Sequence, residues 1–146
     1  MLSTIIGKQL TDIYIVGFIY LDEGQSEFTP DLRWIYFEFE DILLEFESIE
    51  YSRLRMERVL EVRYRFDCDE DMIKVKSSII EFVLVSSMLV NNIVKDIELK
   101  DGTEKNCSAA KIILENGQII FVDPSLPYGI GVGGREQEKY WYYSNK

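Results

Sequence analysis

The chain has 146 residues, 47% of them hydrophobic and 13% aromatic, with no histidine, two cysteines and a formal net charge of −10. Histidine is the usual proton shuttle near neutral pH and the commonest metal ligand, so its absence removes most hydrolase, transferase and metalloenzyme mechanisms and directs attention to binding. The 26 acids against 16 Lys and Arg repel nucleic acid and anionic lipid, which are recognised by clustered cations.

A chain of this size and composition buries one ordinary core, and no Pro/Gly/Ser-rich stretch divides it, so a single domain over residues 1–146 is expected. The longest apolar runs, residues 13–20 and 82–85, fall far short of the roughly 20 residues that cross a bilayer. The first eight residues lack the basic start, apolar stretch and small-residue cleavage site of a secretory signal, so a cytoplasmic location without membrane contact is expected. Cys68 and Cys107 offer one bridge and no metal-ligand spacing; two free thiols, no metal and no cofactor are expected.

In chain order, residues 12–20 are rich in β-branched and aromatic side chains and read as a strand, followed by a turn-prone Asp22-Glu23-Gly24-Gln25-Ser26 loop. Ile35-Tyr36-Phe37-Glu38-Phe39-Glu40 and Leu44-Glu45-Phe46-Glu47 alternate with period two, and a turn at Asp41-Ile42 makes them a hairpin. In that register Phe39 faces Leu44 and Phe37 faces Phe46 on the core side, while Glu38 faces Glu45 and Tyr36 faces Glu47 on the other. Like charges directly opposite cost up to about 1 kcal/mol, so something should offset them. Two answers are open: Arg53, Arg55, Arg63 or Arg65 pairs with these glutamates from a neighbouring strand, or the acidic face is left as a docking surface for a basic partner.

Residues 60–66 alternate cleanly and read as a strand with Leu60, Val62, Tyr64 and Phe66 facing the core. Asp67-Cys68-Asp69-Glu70-Asp71 has the acid spacing that opens a calcium loop, but Met72 stands where glycine is needed and Ser78 where glutamate is, so it reads as a polar turn. Residues 79–85 fit a buried strand or part of a helix through Leu89, with the isoleucines and valines favouring strand; any helix belongs near the N-terminus or between Lys76 and Leu89. Strands follow at 93–99, 108–114 and 118–122, the last two joined through Asn116-Gly117, the strongest short hairpin signal.

Residues 7–50 and 91–124 resemble one another as strand, loop and hairpin, with identities at Asp12/Asp96, Ile13/Ile97, Glu40/Glu115 and Phe46/Phe121. The same alternation rule would give two unrelated meanders a similar look. Gly129-Ile130-Gly131-Val132-Gly133-Gly134 fits G-x-G-x-x-G, but twelve residues remain for the helix and βαβ unit that a dinucleotide site needs, so a loop or glycine-bearing strand is expected. Tyr140-Trp141-Tyr142-Tyr143 reads as a terminal edge strand or as a binding hot spot. The whole is expected to be mainly β: an antiparallel sandwich or partly open barrel of seven to nine strands with little helix, and two repeated meanders as one way to build it.

No nucleophile–base pair exists without histidine, and no G-x-S-x-G turn surrounds a serine. Glycoside hydrolysis needs only two carboxylates, but also a deep cleft and one carboxyl of raised pKa, and the sequence signals neither. The expected function is therefore a non-enzymatic, acidic, protein-binding module, with Tyr36, Glu38, Glu40, Glu45 and Glu47 as contact residues for a basic protein. In size and composition, though in no diagnostic motif, the chain is similar to toxin-neutralising immunity proteins, which implies an inhibitor of a basic toxin or enzyme. A small apolar ligand held between the sheets by Phe18, Phe37, Phe46 and Tyr64 is the alternative, and a structural homodimer through an edge strand a third.

Overall fold

The computed structural model describes residues 2–20, 27–50, 52–84, 91–126 and 129–134, with positions 136 and 138. Among them, strands β1 (Leu10–Tyr20), β2 (Thr29–Phe39), β3 (Ile42–Ile49), β4 (Arg53–Val59) and β5 (Met72–Ser78) form one antiparallel sheet in the order β4-β3-β2-β1-β5. A second sheet runs β6 (Val94–Lys100), β7 (Ala109–Leu114), β8 (Ile119–Leu126), β9 (Gly129–Gly133) in chain order. Helical elements with described bounds are a 3-10 turn at Leu2–Thr4 and the short α1 (Ile80–Val83). The mainly β, two-sheet architecture is the one the alternating sequence implies.

Alternation along each strand sends one set of side chains between the sheets. Ile13, Ile35, Phe37, Phe39, Leu44, Phe46, Leu54 and Met56 from the larger sheet meet Ala110, Ile112, Leu114, Ile120, Val122 and Ile130 from the smaller one in a single buried cluster. Phe37 and Phe46 lie 5.0 Å apart at its centre. Two corners are stitched by backbone: the N–H of Leu54 donates to Cys107 O at 2.8 Å and that of Cys107 to Leu54 O at 3.0 Å, while Leu10 donates to Asn92 O and Val94 to Lys8 O at 2.8 and 2.9 Å. The sandwich is thus partway to a barrel.

The reverse face of the larger sheet is also apolar. Val16, Trp34, Tyr36 and Val59 form a second cluster there, and Phe66 closes it from residues 60–71, which cross this face without joining any sheet. Residues 60–66 are therefore not a strand. Val62, Tyr64 and Phe66 do point inward, but toward the back of the sheet, and Leu60 is fully exposed. The strands flanking this segment were missed. In β4, Leu54 and Met56 alternate with charges as a strand requires; in β5, half-exposed on both faces, Lys74 and Lys76 guard a sheet edge.

Residues 79–85 were expected to favour strand. Instead the backbone pairing of β5 with β1 ends where Ile79 N–H donates to Ile13 O, and the chain turns into α1. Its β-branched residues met tertiary packing rather than a ladder; positions 85–90 lie outside the described residues. So do the loop at 22–26 and residues 140–143. The glycine-rich segment is strand β9, laid across β2, where a Cβ on Gly129 would sit 2.5 Å from Leu32 Cβ.

The two halves share details beyond alternation. Leu10 pairs with Phe39 and, after one extra residue, Asp12 with Glu38; Val94 pairs with Leu114 and, after one extra residue, Asp96 with Ile113. At each irregularity the aspartate Oδ1 accepts the next residue's N–H at 2.8 Å, from Ile13 and from Ile97. Phe46 and Phe121 do not correspond. The first hairpin turns through two residues, Phe39 opposite Ile42, whereas Gly117 at φ +91° makes the second loop three residues long. The added residue puts Val122, opposite Ala110, in the core position that Phe46 fills opposite Ile35, and turns Phe121 to the reverse face.

Candidate functional site

The β2–β3 hairpin turns at Glu40-Asp41, one residue earlier than the sequence suggests, with Glu40 in the left-handed region at φ +57°. Every cross-strand partner on β3 moves by two residues. Side chains keep their faces, because a two-residue shift preserves the pleat. The like-charge pair vanishes: Glu38 lies opposite Leu43, Tyr36 opposite Glu45 and Trp34 opposite Glu47.

Glu45 is 1% exposed and sits at the centre of this face. Tyr36 Oη donates to its Oε2 at 2.5 Å, Arg63 Nη2 to Oε1 at 2.5 Å, Arg63 Nε to Oε2 at 3.2 Å and Arg65 Nη1 to Oε1 at 3.0 Å. Burial pushes the Glu45 carboxyl up, but the hydrogen bonds from Arg63 and Tyr36 and the charges of both arginines outweigh it and hold it below the usual glutamate range. Burial and the bond to Glu45 in turn raise the Tyr36 phenol far above its ordinary value. Glu47, half-buried, accepts from Trp34 Nε1 at 3.0 Å and pairs with Arg55, with Arg65 3.6 Å away. The cluster neutralises its own charge.

This arrangement corrects the expected contact surface. Tyr36 and Glu45 are buried, and Glu47 is held by arginines. Glu38, half-buried, accepts from Thr11 Oγ1 at 2.7 Å, and exposed Glu40 accepts from Gln9 N–H at 2.7 Å. The five residues therefore do not form an open acidic face. Of the arginines the sequence offered as partners, Arg55, Arg63 and Arg65 serve; Arg53 instead donates to Asn106 Oδ1 at 2.5 Å and Asp101 O at 2.6 Å. Arg63 and Arg65 reach Glu45 from residues 60–71, not from a neighbouring strand.

That segment, the strap, is the part of the site sequence reasoning misplaced. Backbone N–H of Arg63 donates to Tyr36 Oη at 3.3 Å, Lys74 Nζ donates to Tyr64 O at 3.3 Å, and Phe66 packs 6.5 Å from the Trp34 ring. Beyond Phe66, Asp67, Asp69, Glu70 and Asp71 are exposed and make no side-chain ion pair or hydrogen bond among the described residues. Four exposed carboxylates within five residues make this turn a local patch of one sign.

The expected ligand-binding aromatics do not line one space. Phe37 and Phe46 fill the inter-sheet core, while Phe18 and Tyr64 lie against the opposite face of the larger sheet. A recess of about 560 Å³ does exist elsewhere, its lining including Val83, Leu84, Ile119, Phe121, Glu136 and Glu138. No metal-binding group of acids and cysteines occurs among the described residues. No protein-family model, curated protein or solved structure matches the chain.

Proposed function

We propose that this chain is a non-enzymatic, acidic, protein-binding module that docks on a basic protein, in the manner of an inhibitor of a basic toxin or enzyme. Its contact charges are those of the strap's acidic turn rather than those of the hairpin. One observation carries the reading: Glu45 and Glu47 of the hairpin are neutralised by Arg55, Arg63 and Arg65, whereas Asp67, Asp69, Glu70 and Asp71 stand exposed and without an ion pair among the described residues. Charges of one sign clustered at the surface speed encounter with a complementary partner and exclude like-charged ones.

The test is capture of partners from lysate of the source organism at low and moderate salt, followed by association kinetics with the recovered protein. The D67K/D69K variant should associate at least tenfold more slowly at low salt, with the gap narrowing as salt rises. An unchanged on-rate, or an equal loss on reversing Glu38 and Glu40, would remove the acidic turn from the interface. The recess beside Val83 and Phe121 favours a second reading, a site for a small apolar ligand; a Phe121→Ala variant that binds a panel of apolar probes as wild type does would discard it.

A further inference from the structure

We propose that residues 60–71 are a latched strap, held on the back of the larger sheet by the buried carboxylate of Glu45, and that removing this charge opens the strap as a unit while both sheets stay folded. Three observations converge. The strap joins no sheet, so no ladder of backbone hydrogen bonds holds it between Leu60 and Phe66. Its polar attachments centre on one group: Arg63 and Arg65 both donate to Glu45, and the Arg63 N–H donates to Tyr36 Oη, which itself donates to Glu45, while the outlying contacts of Arg63 with Glu57, Arg65 with Glu47 and Lys74 Nζ with Tyr64 O are at more exposed positions. What the strap covers is apolar, for Val62, Tyr64 and Phe66 lie over Val16, Trp34, Tyr36 and Val59.

The asymmetry of the latch sets which part moves. Glu45 is fixed in the middle of β3 and cannot reach water, whereas the side chains of Arg63 and Arg65 are already 35% and 34% exposed. If either side of the pair is lost, a charge is left desolvated, and the least costly response is for the strap to swing outward and hydrate it. The charged groups around Glu45 are Tyr36 and Glu47 from the hairpin, Arg55 and Glu57 from β4, and Arg63 and Arg65 from the strap. Among these, Tyr36 and the two strap arginines bind Glu45, and the arginines do so from the strap. Opening would carry the acidic turn with it, so the latch also sets how that turn is presented.

Limited digestion with chymotrypsin tests the latch on the intact chain, because Tyr64 and Phe66 lie in the strap while Phe37 and Phe46 lie in the core. In Glu45→Gln, and independently in R63A/R65A, cleavage after Tyr64 and Phe66 should accelerate at least tenfold, while cleavage after Phe37 and Phe46 and the far-ultraviolet circular dichroism stay as in wild type. Unchanged strap cleavage, or acceleration equal at all four sites, would overturn the proposal. Should Glu45→Gln fail to fold, R63A/R65A, altered only on the strap, decides it. No partner enters the assay, so its outcome is separate from that of the docking test.

Discussion

Glu45 and Glu47 stand two residues apart on the same face of β3 and meet different surroundings, one sealed under Arg63, Arg65 and Tyr36, the other shared among Trp34, Arg55 and Arg65. Truncating Glu45 to alanine should cost about 3 kcal/mol, the low end for breaking a buried pair, because both strap arginines keep a third of their side chains in water. The pH dependence follows from the direction of its shift. A carboxyl held below its unfolded value contributes stability that is complete above the usual glutamate pKa of about 4.3 and is lost as pH falls through the lower folded value. The wild-type urea midpoint should therefore decline on acidification below about pH 4.3, and Glu45→Gln should flatten part of that limb. Part remains because Asp31, pushed up by burial but held down more strongly by Arg33, shifts in the same direction. The thiols separate as well. Cys107 is buried and its thiol is pushed up to about 11 by burial, against a smaller lowering by Arg53, whereas Cys68 is half-buried. A native thiol titration with a disulfide reagent should count one fast group, Cys68, and a second only on denaturation.

At the scale of elements, turns and close approaches decide the register. Gly17 passes so near β2 that an added Cβ would lie 2.1 Å from Thr29 O and 2.8 Å from Pro30 Cα. Gly117 has open space around it but sits at φ +91°. Gly17→Ala should thus lose about 1–3 kcal/mol through overpacking against backbone that cannot yield. Gly117→Ala should lose about 1–2 kcal/mol through left-handed strain in the hairpin loop. Thermal unfolding of the two variants separates the causes: Gly117→Asn should recover much of the second loss, since asparagine tolerates the left-handed region, while Gly17→Asn should be worse than alanine. The elements themselves were unevenly legible. β1, β6, β7 and β8 could be read from β-branched alternation and the Asn-Gly turn. The β2–β3 hairpin was read with its faces correct and its register displaced by two, because Glu40, a non-glycine residue, takes the left-handed turn position. Residues 60–66 alternate as well as any strand, and nothing local distinguishes packing on the back of a sheet from pairing at its edge.

For the whole molecule, composition had little to say about where charge resides. The net charge of −10 is a property of the sequence, but Glu45 and Glu47 of the hairpin that looked most acidic are balanced by arginines, and the turn at 67–71, which the sequence reads as a polar turn, carries four exposed acids without an ion pair among the described residues. The candidate site was accordingly half legible: the arginine partners of the hairpin were among those named, and the exposure of the acidic turn at 67–71 was not read from the sequence. Mainly β architecture and a core of alternating apolar residues followed from the sequence itself, since alternation is a local property of the chain. The side of the sheet that the strap covers, the burial of Glu45 and the exposure of the acidic turn were decided by tertiary structure alone. Each depends on contacts between segments distant along the chain, whose geometry is set by packing and desolvation rather than by the pattern of neighbouring residues.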